Sequence, residues 1–183
     1  MSIIAIDFET SGYAPTSACS LGMARLDIGR ITATWQSLIR PPSPRVIFSD
    51  VHGLTWNMLK NQPVFADLWP EILDFMQGAS VLVAHNALFD RGVLLACCEA
   101  LGTAPPPVAF ACTLKGARAI KAQLGLGRLR LCDLCAHFGI ELDHHNALSD
   151  ALGAGQLYFA LRRMGVEEKD MILPLRPAAS HSR

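Results

Sequence analysis

The sequence predicts an α/β fold in which a mixed β-sheet is flanked by helices. Two observations carry that prediction. Three strand-like runs come first, at residues 3–9, 19–27 and 31–39, and the second and third are joined by a hairpin turn at Ile28-Gly29-Arg30. From residue 79 onward, short apolar runs alternate with helical periodicity, as in strands joined by helical crossovers.

The elements follow in order. Residues 3–9, IIAIDFE, are apolar apart from two acids, and Gly12 and Pro15 mark residues 11–17 as a loop. Pro41, Pro42 and Pro44 close the sheet edge, because proline cannot donate to a strand ladder. Residues 52–61 read as a turn followed by a short helix. Residues 65–76 have helical periodicity, with Pro70 marking a start or a kink. Residues 79–84 are apolar apart from Ser80, as expected of a strand covered on both faces. Residues 90–101 read as a helix stopped by Gly102. A linker at 105–107 leads to a short strand at 109–112 and a helix at 113–122. The last two helices are expected at 131–138 and 147–164, the latter stopped by Gly165. One domain over residues 1–165 and a loosely ordered tail over 166–183 are the expected division.

Bulk properties narrow the function classes. A chain of 183 residues is the size of one domain and buries enough surface to need no staple. Hydrophobic residues make up 51% and charged residues 17%, the latter below the usual value of about 25%. That balance suits a sheet covered on both faces, or a chain that also hides surface in a homodimer. Zero net charge excludes a broadly basic nucleic-acid surface and predicts modest salt dependence of any such binding. No signal-peptide pattern precedes the first strand. No apolar run reaches the roughly 18 residues that a membrane span needs. A cytoplasmic, membrane-free protein with reduced cysteines is expected. Cys132 and Cys135 form a lone CxxC in the amphipathic segment LRLCDLCAHFGI, read as buried helix residues, with metal or redox use as the alternative.

The chemistry lies in carboxylates at the ends of apolar runs. Asp7 and Glu9 are two apart on a strand, so they share a face with Cα atoms about 6.6–6.8 Å apart. That spacing suits a pair of divalent ions about 3.5–4 Å apart. The alternative is a surface acidic pair on an edge strand, against which stand Ile4, Ile6 and Phe8. Asp90 follows the strand 79–84 through His85-Asn86-Ala87, where it is either a helix cap or a third site carboxylate. Asp150 sits in a helical stretch and is either solvent-facing or a fourth. His145 precedes it by five residues, about 140° away on a continuous helix, which places His145 on the loop before that helix. A neutral imidazole there can take a proton near pH 7. Buried ionised carboxylates are costly without a positive partner. Three segments that each deliver one point to a shared partner, a pair of divalent metals.

IDFET, AHNALFD and HNALSDA resemble, in order and spacing, the three motifs of the DEDDh group of 3′–5′ exonucleases. The third stands as His145-x-Ala147-x-x-Asp150, and His52-Gly53-Leu54-Thr55 and Cys112-Thr113 are smaller landmarks. The similarity spans about residues 3–161. It is nearest to stand-alone bacterial exonuclease-domain proteins of the polymerase III epsilon, or proofreading, type. The resemblance implies a ribonuclease H-like fold and an exonuclease domain over residues 1–165. It also implies two Mg²⁺ or Mn²⁺ ions and removal of nucleoside 5′-monophosphates from single-stranded or frayed 3′ ends, DNA favoured over RNA.

Carried over residue by residue, Asp7, Glu9, Asp90 and Asp150 would hold the metals and His145 would be the general base, with activity falling below about pH 6. His144 is its rival. Thr10 and Leu54 would grip and wedge the terminal nucleotide. Phe89 would support that pocket or belong to the core. His85 and Asn86 would contact substrate or organise the Asp90 turn. Arg118, Lys121, Arg128 and Arg130 read as solvated charge or as contacts to the phosphates of the incoming strand. A catalytically silent binding module on the same fold is the rival function. A structural zinc site at Cys132, Cys135, His137 and His144 is a second alternative. No long C-terminal extension of the polymerase-tethering kind is evident, so action in trans is expected over stable residence in a replicase.

Overall fold

The computed structural model describes residues 2–174. Its five strands are β1 (Ser2–Thr10), β2 (Ala18–Asp27), β3 (Arg30–Leu38), β4 (Val81–Ala84) and β5 (Phe110–Cys112), in spatial order β3-β2-β1-β4-β5. β1, β2 and β3 pair antiparallel, while β4 runs parallel to β1 and β5 parallel to β4. The sheet is therefore mixed, with the expected hairpin between β2 and β3. Ile28 (φ 51°) and Gly29 (φ 82°) both take the left-handed conformation that a two-residue hairpin turn needs.

The helices are α1 (Ser49–His52), α2 (Trp56–Leu59), α3 (Phe65–Met76), α4 (Leu88–Ala100), α5 (Thr113–Ala119), α6 (Lys121–Leu124), α7 (Leu131–Phe138), α8 (Ala147–Arg163) and α9 (Glu168–Met171). Strand alternation sorts them into two layers. Ile4, Ile6 and Phe8 of central β1 belong to one core with Leu68 and Ile72 of α3 and Val93 and Leu94 of α4. Ile3 and Ala5 belong to the other, with Ala151, Ala154, Leu157 and Tyr158 of α8. By the same period of two, Asp7 and Glu9 continue the face that α8 covers.

α8 lies unusually close to the sheet. A Cβ on Gly22 of β2 would fall 2.3 Å from the backbone of Ala147 and Leu148, and one on Gly155 would fall 2.6 Å from Leu26 Cδ1. These glycines let α8 lie close against β2 and against β1, the strand that carries Asp7 and Glu9.

Several expected boundaries shift. The turn expected near residue 52 contains α1, followed by α2. α4 begins at Leu88, so Asp90 lies inside its first turn and is not a cap. The helix expected over 113–122 breaks at Ile120 into α5 and α6. The loose tail does not begin at residue 166. Val166, Met171 and Leu173 are buried, and Ile172 bridges to Ala111 of β5, because that edge of the sheet needs covering. Residues 175–183 of that tail lie outside the described residues. No helix among the described residues is long and apolar enough to cross a membrane.

Candidate active site

The ends of β1, α4 and α8 bring the four carboxylates together. Asp7, Glu9 and Asp150 each offer an oxygen, and these atoms lie within 4.8 Å of one another. Asp90 enters from the far side of the sheet end, almost fully buried, and accepts a hydrogen bond from the Phe8 amide at 3.0 Å. Asp150 sits in the first turn of α8, where helix N-termini favour negative charge. Asn146 caps that helix by accepting from the amides of Leu148 and Ser149.

The electrostatics are those of an uncompensated anionic cluster. Burial, then the charges of Asp90, Asp150 and Glu9, hold the Asp7 carboxyl well above the usual carboxylate range. Burial and the Asp150 charge push Glu9 up to about 7. Burial pushes Asp90 up to about 7, against the Phe8 amide, which pulls it down. Among the described residues no lysine or arginine pairs with any of the four. All-oxygen donors from several elements, crowded and without a lysine or arginine partner among the described residues, fit hard divalent cations.

The two histidines divide their tasks. His144 donates from Nδ1 to both Asp150 carboxylate oxygens, at 3.0 and 3.1 Å. His145 approaches Asp150 through its backbone amide, at 3.2 Å, and its exposed ring stacks on His144 with centroids 3.9 Å apart. The φ of His145 is +70°, a strained conformation for a residue bearing a side chain. Its ring lines a cleft of about 300 Å³ with Glu9 and Leu54.

The other expected residues surround this centre. Thr10 is buried and Leu54 half-buried, and one side chain ties them together. His52 Nδ1 accepts from the Leu54 amide at 3.1 Å, which leaves Nε2–H to donate to the Thr10 carbonyl at 3.2 Å. In the sequence His52 is only a landmark, because its bond to the Thr10 carbonyl joins residues far apart in the chain and no local pattern announces it. Phe89 is 45% exposed, so it stands outside the core. Asn86 takes φ +61° and turns the chain from β4 toward α4. His85 is fully engaged. Nε2–H donates to the Leu129 carbonyl at 3.1 Å and Nδ1 accepts from the Thr113 hydroxyl at 2.9 Å, while burial lowers the ring's pKa to about 4. It organises the floor of a cleft of about 720 Å³ that also meets Asp7, Asp150, Arg118, Lys121 and Arg128. Arg130 reaches that cleft too, but its guanidinium is clamped bidentately by Asp133 at 2.7 and 2.8 Å.

The zinc alternative fails on geometry. The metal-capable groups among the described residues are Asp7/Glu9/Asp150 and His144/His145/Asp150, and neither includes Cys132, Cys135 or His137. Cys135 is buried in the α8-side core, its thiol pushed up to about 12.

The exonuclease family profile matches residues 4–158. A DNA polymerase III PolC-type protein of Clostridium perfringens is 31% identical over 175 residues, which are 92% of this chain and 12% of that protein. A putative bifunctional exonuclease/endonuclease protein of Mycobacterium tuberculosis is 28% identical over 170 residues, 86% of this chain and 26% of its own length. The chain thus spans only a minor part of these curated relatives. Among solved structures, exonuclease X in complex with 5′ overhanging duplex DNA superposes with a TM-score of 0.72 at 25% identity, covering 92% of this chain and 96% of that one. The nuclease domain of 3′hExo, a DEDDh family member bound to rAMP, gives 0.74 at 18% identity, covering 96% and 97%. The sheet order and these neighbours make the fold ribonuclease H-like, and with the profile covering most of its length the chain belongs to the exonuclease family.

Proposed function

We propose that this protein is a metal-dependent 3′–5′ exonuclease acting on single-stranded or frayed nucleic acid, DNA in preference to RNA. The observation that carries the proposal is the cluster of Asp7, Glu9, Asp90 and Asp150 without a lysine or arginine partner among the described residues, two of whose members, Asp7 and Asp150, line a cleft that also presents basic side chains. The four carboxylates would hold two Mg²⁺ or Mn²⁺ ions. Bound there, such ions lower the pKa of an attacking water and stabilise the leaving 3′ oxygen. His145, exposed at the Glu9 cleft, takes the proton of that water. His144 orients Asp150, with which it already shares two hydrogen bonds. Thr10 and Leu54, joined through His52, grip the terminal nucleotide. Arg118, Lys121 and Arg128 meet the phosphates of the strand behind it.

A degradation panel tests this, with matched single-stranded DNA, duplex DNA with a mispaired 3′ end, and RNA, each with Mg²⁺ or Mn²⁺. Single-stranded and frayed DNA should be shortened to nucleoside 5′-monophosphates. Asp7→Ala, Asp150→Ala and EDTA should abolish the reaction with the circular dichroism spectrum intact, and His145→Ala should lose more than His144→Ala. Degradation that survives EDTA removes the mechanism, and a greater loss in His144→Ala moves the base to His144. Similarity to part of PolC-type polymerases supports a second reading, action beside a polymerase. Co-elution with a replicative polymerase tests it. Six unpaired cysteines suit the reducing cytoplasm.

A further inference from the structure

Residues 125–130 join α6 to α7 and carry Arg128 along the wall of the larger cleft. Arg118 and Lys121, on the same wall, stand on the helices α5 and α6; Arg128 has no helix or strand beneath it. Gly125 (φ 64°) and Gly127 loosen the connection further. Among the described residues, no backbone–backbone hydrogen bond involves residues 126–129. Leu126 and Leu129 pack, partly buried, against the α8-side core. Local freedom concentrates in such poorly bonded stretches. Arg128 therefore needs an anchor if it is to meet a phosphate at a fixed distance from the carboxylates.

His85 supplies that anchor. It directly follows β4 and stands at the start of the turn that leads to Asp90. Its Nε2–H donates to the Leu129 carbonyl at 3.1 Å, across 44 positions of the chain. Among the described residues, no other side chain bonds the main chain of residues 126–129. A carbonyl only accepts, so Nε2 carries the proton and Nδ1 accepts from the Thr113 hydroxyl at 2.9 Å. Thr113 opens α5 and is buried, so the ring is held at both nitrogens. No ring nitrogen is left over for a substrate.

The two ends of this bond belong to different parts of the proposed reaction. β4 leads into the turn that delivers Asp90, and Leu129 directly follows Arg128. We infer that His85 is a positioning residue that holds Arg128, and with it a phosphate of the bound strand, at a set distance from the carboxylate centre, contacting no substrate itself. The inference rests on the exonuclease reading above. Without the bond the Leu129 carbonyl loses its partner, and the connection that bears Arg128 takes several positions instead of one. Each strand bound must then order it again, which weakens binding.

The test uses His85→Asn and His85→Gln. The amide nitrogen of Gln stands as many bonds from Cα as Nε2 does and can reach the carbonyl; the shorter Asn cannot. On single-stranded DNA with Mg²⁺, His85→Asn should raise KM by about 3- to 10-fold, with kcat changing less than KM. It should also reduce the log-salt slope of binding by about 1. His85→Gln should return both toward wild type. Arg128→Ala should add less than about 2-fold in the His85→Asn background, because the two changes remove the same contact. Trypsin reads the anchor without substrate: cutting after Arg128, relative to cutting elsewhere, should be faster in His85→Asn than in wild type or His85→Gln. His85→Leu replaces His85→Asn if the latter does not fold. A wild-type KM in His85→Asn, a fall in kcat alone, failure of His85→Gln to restore, additive losses with Arg128→Ala, or unchanged cutting would each overturn the anchor while leaving the exonuclease reading standing. A wild-type protein inert on single-stranded DNA would overturn that reading and, with it, the role given to Arg128 and its anchor.

Discussion

Asp7→Asn should make the metal-free protein more stable while destroying its activity. At an effective dielectric of about 20, two unit charges 4.8 Å apart repel by about 3.5 kcal/mol, and the oxygens of Asp7, Glu9 and Asp150 lie within that distance of one another. The carboxylates relieve part of this by holding protons. Glu9 rises from 4.5 to about 7, by burial first and then by the Asp150 charge, a shift worth about 3.5 kcal/mol at about 1.4 per unit, of which only the smaller, charge-driven share measures repulsion, further reduced because Glu9 is half-exposed. Removing the Asp7 charge should therefore recover roughly 1–3 kcal/mol at pH 8, about 2–10 °C in Tm for a chain of this size. The sign follows from linkage. Glu9, Asp90 and Asp7 have folded pKa values above their unfolded ones, so below the unfolded values they cost nothing, and stability falls as pH rises toward the folded values, about 7 for Glu9 and Asp90. The gain from Asp7→Asn should be larger at pH 8 than at pH 5, where Glu9 and Asp90 are largely protonated. Thermal unfolding in EDTA at both pH values, wild type against variant, is the assay. A lower Tm for Asp7→Asn at pH 8, or the same shift at both pH values, would refute the account of an uncompensated cluster.

Three further outcomes are expected. Gly22→Ala puts a methyl 2.3 Å from the backbone of Ala147 and Leu148; it should cost about 3 kcal/mol or more and lower kcat by displacing Asp150, read by thermal melting and rate assay. Arg128→Ala should raise KM for an oligonucleotide and reduce the log-salt slope of binding by about 1, whereas Arg130→Ala, already clamped by Asp133, should change both less. His52→Ala should release both Thr10 and Leu54 and raise KM for single-stranded DNA, read by steady-state assay.

Much of the site is legible in the sequence because it obeys short-range rules. Asp7 and Glu9 share a face by strand alternation, and the surrounding isoleucines announce burial. Asp150 is readable as a helical residue from the run 147–164, and as a candidate site residue through the His145-x-Ala147-x-x-Asp150 motif. What stays hidden depends on contacts distant in sequence. The first turn of α4 contains the exposed Leu88 and Phe89, which break the apolar stripe and conceal that Asp90 lies within the helix. His144 and His145 differ by one position, and only the positive φ of His145 decides which ring meets Asp150. α9 is a single turn, too short for periodicity, and packs because β5 has an open edge and Gly116 admits the Met171 side chain. Gly22 reads as an ordinary strand glycine until α8 is laid across it.

The most direct measurement follows a 5′-labelled single-stranded DNA with Mg²⁺ over time. The account predicts a ladder shortening one nucleotide at a time from the 3′ end, and no shortening in EDTA or with Asp150→Ala. Cleavage within the strand, release of the 5′ label first, or an unchanged ladder in EDTA would contradict it.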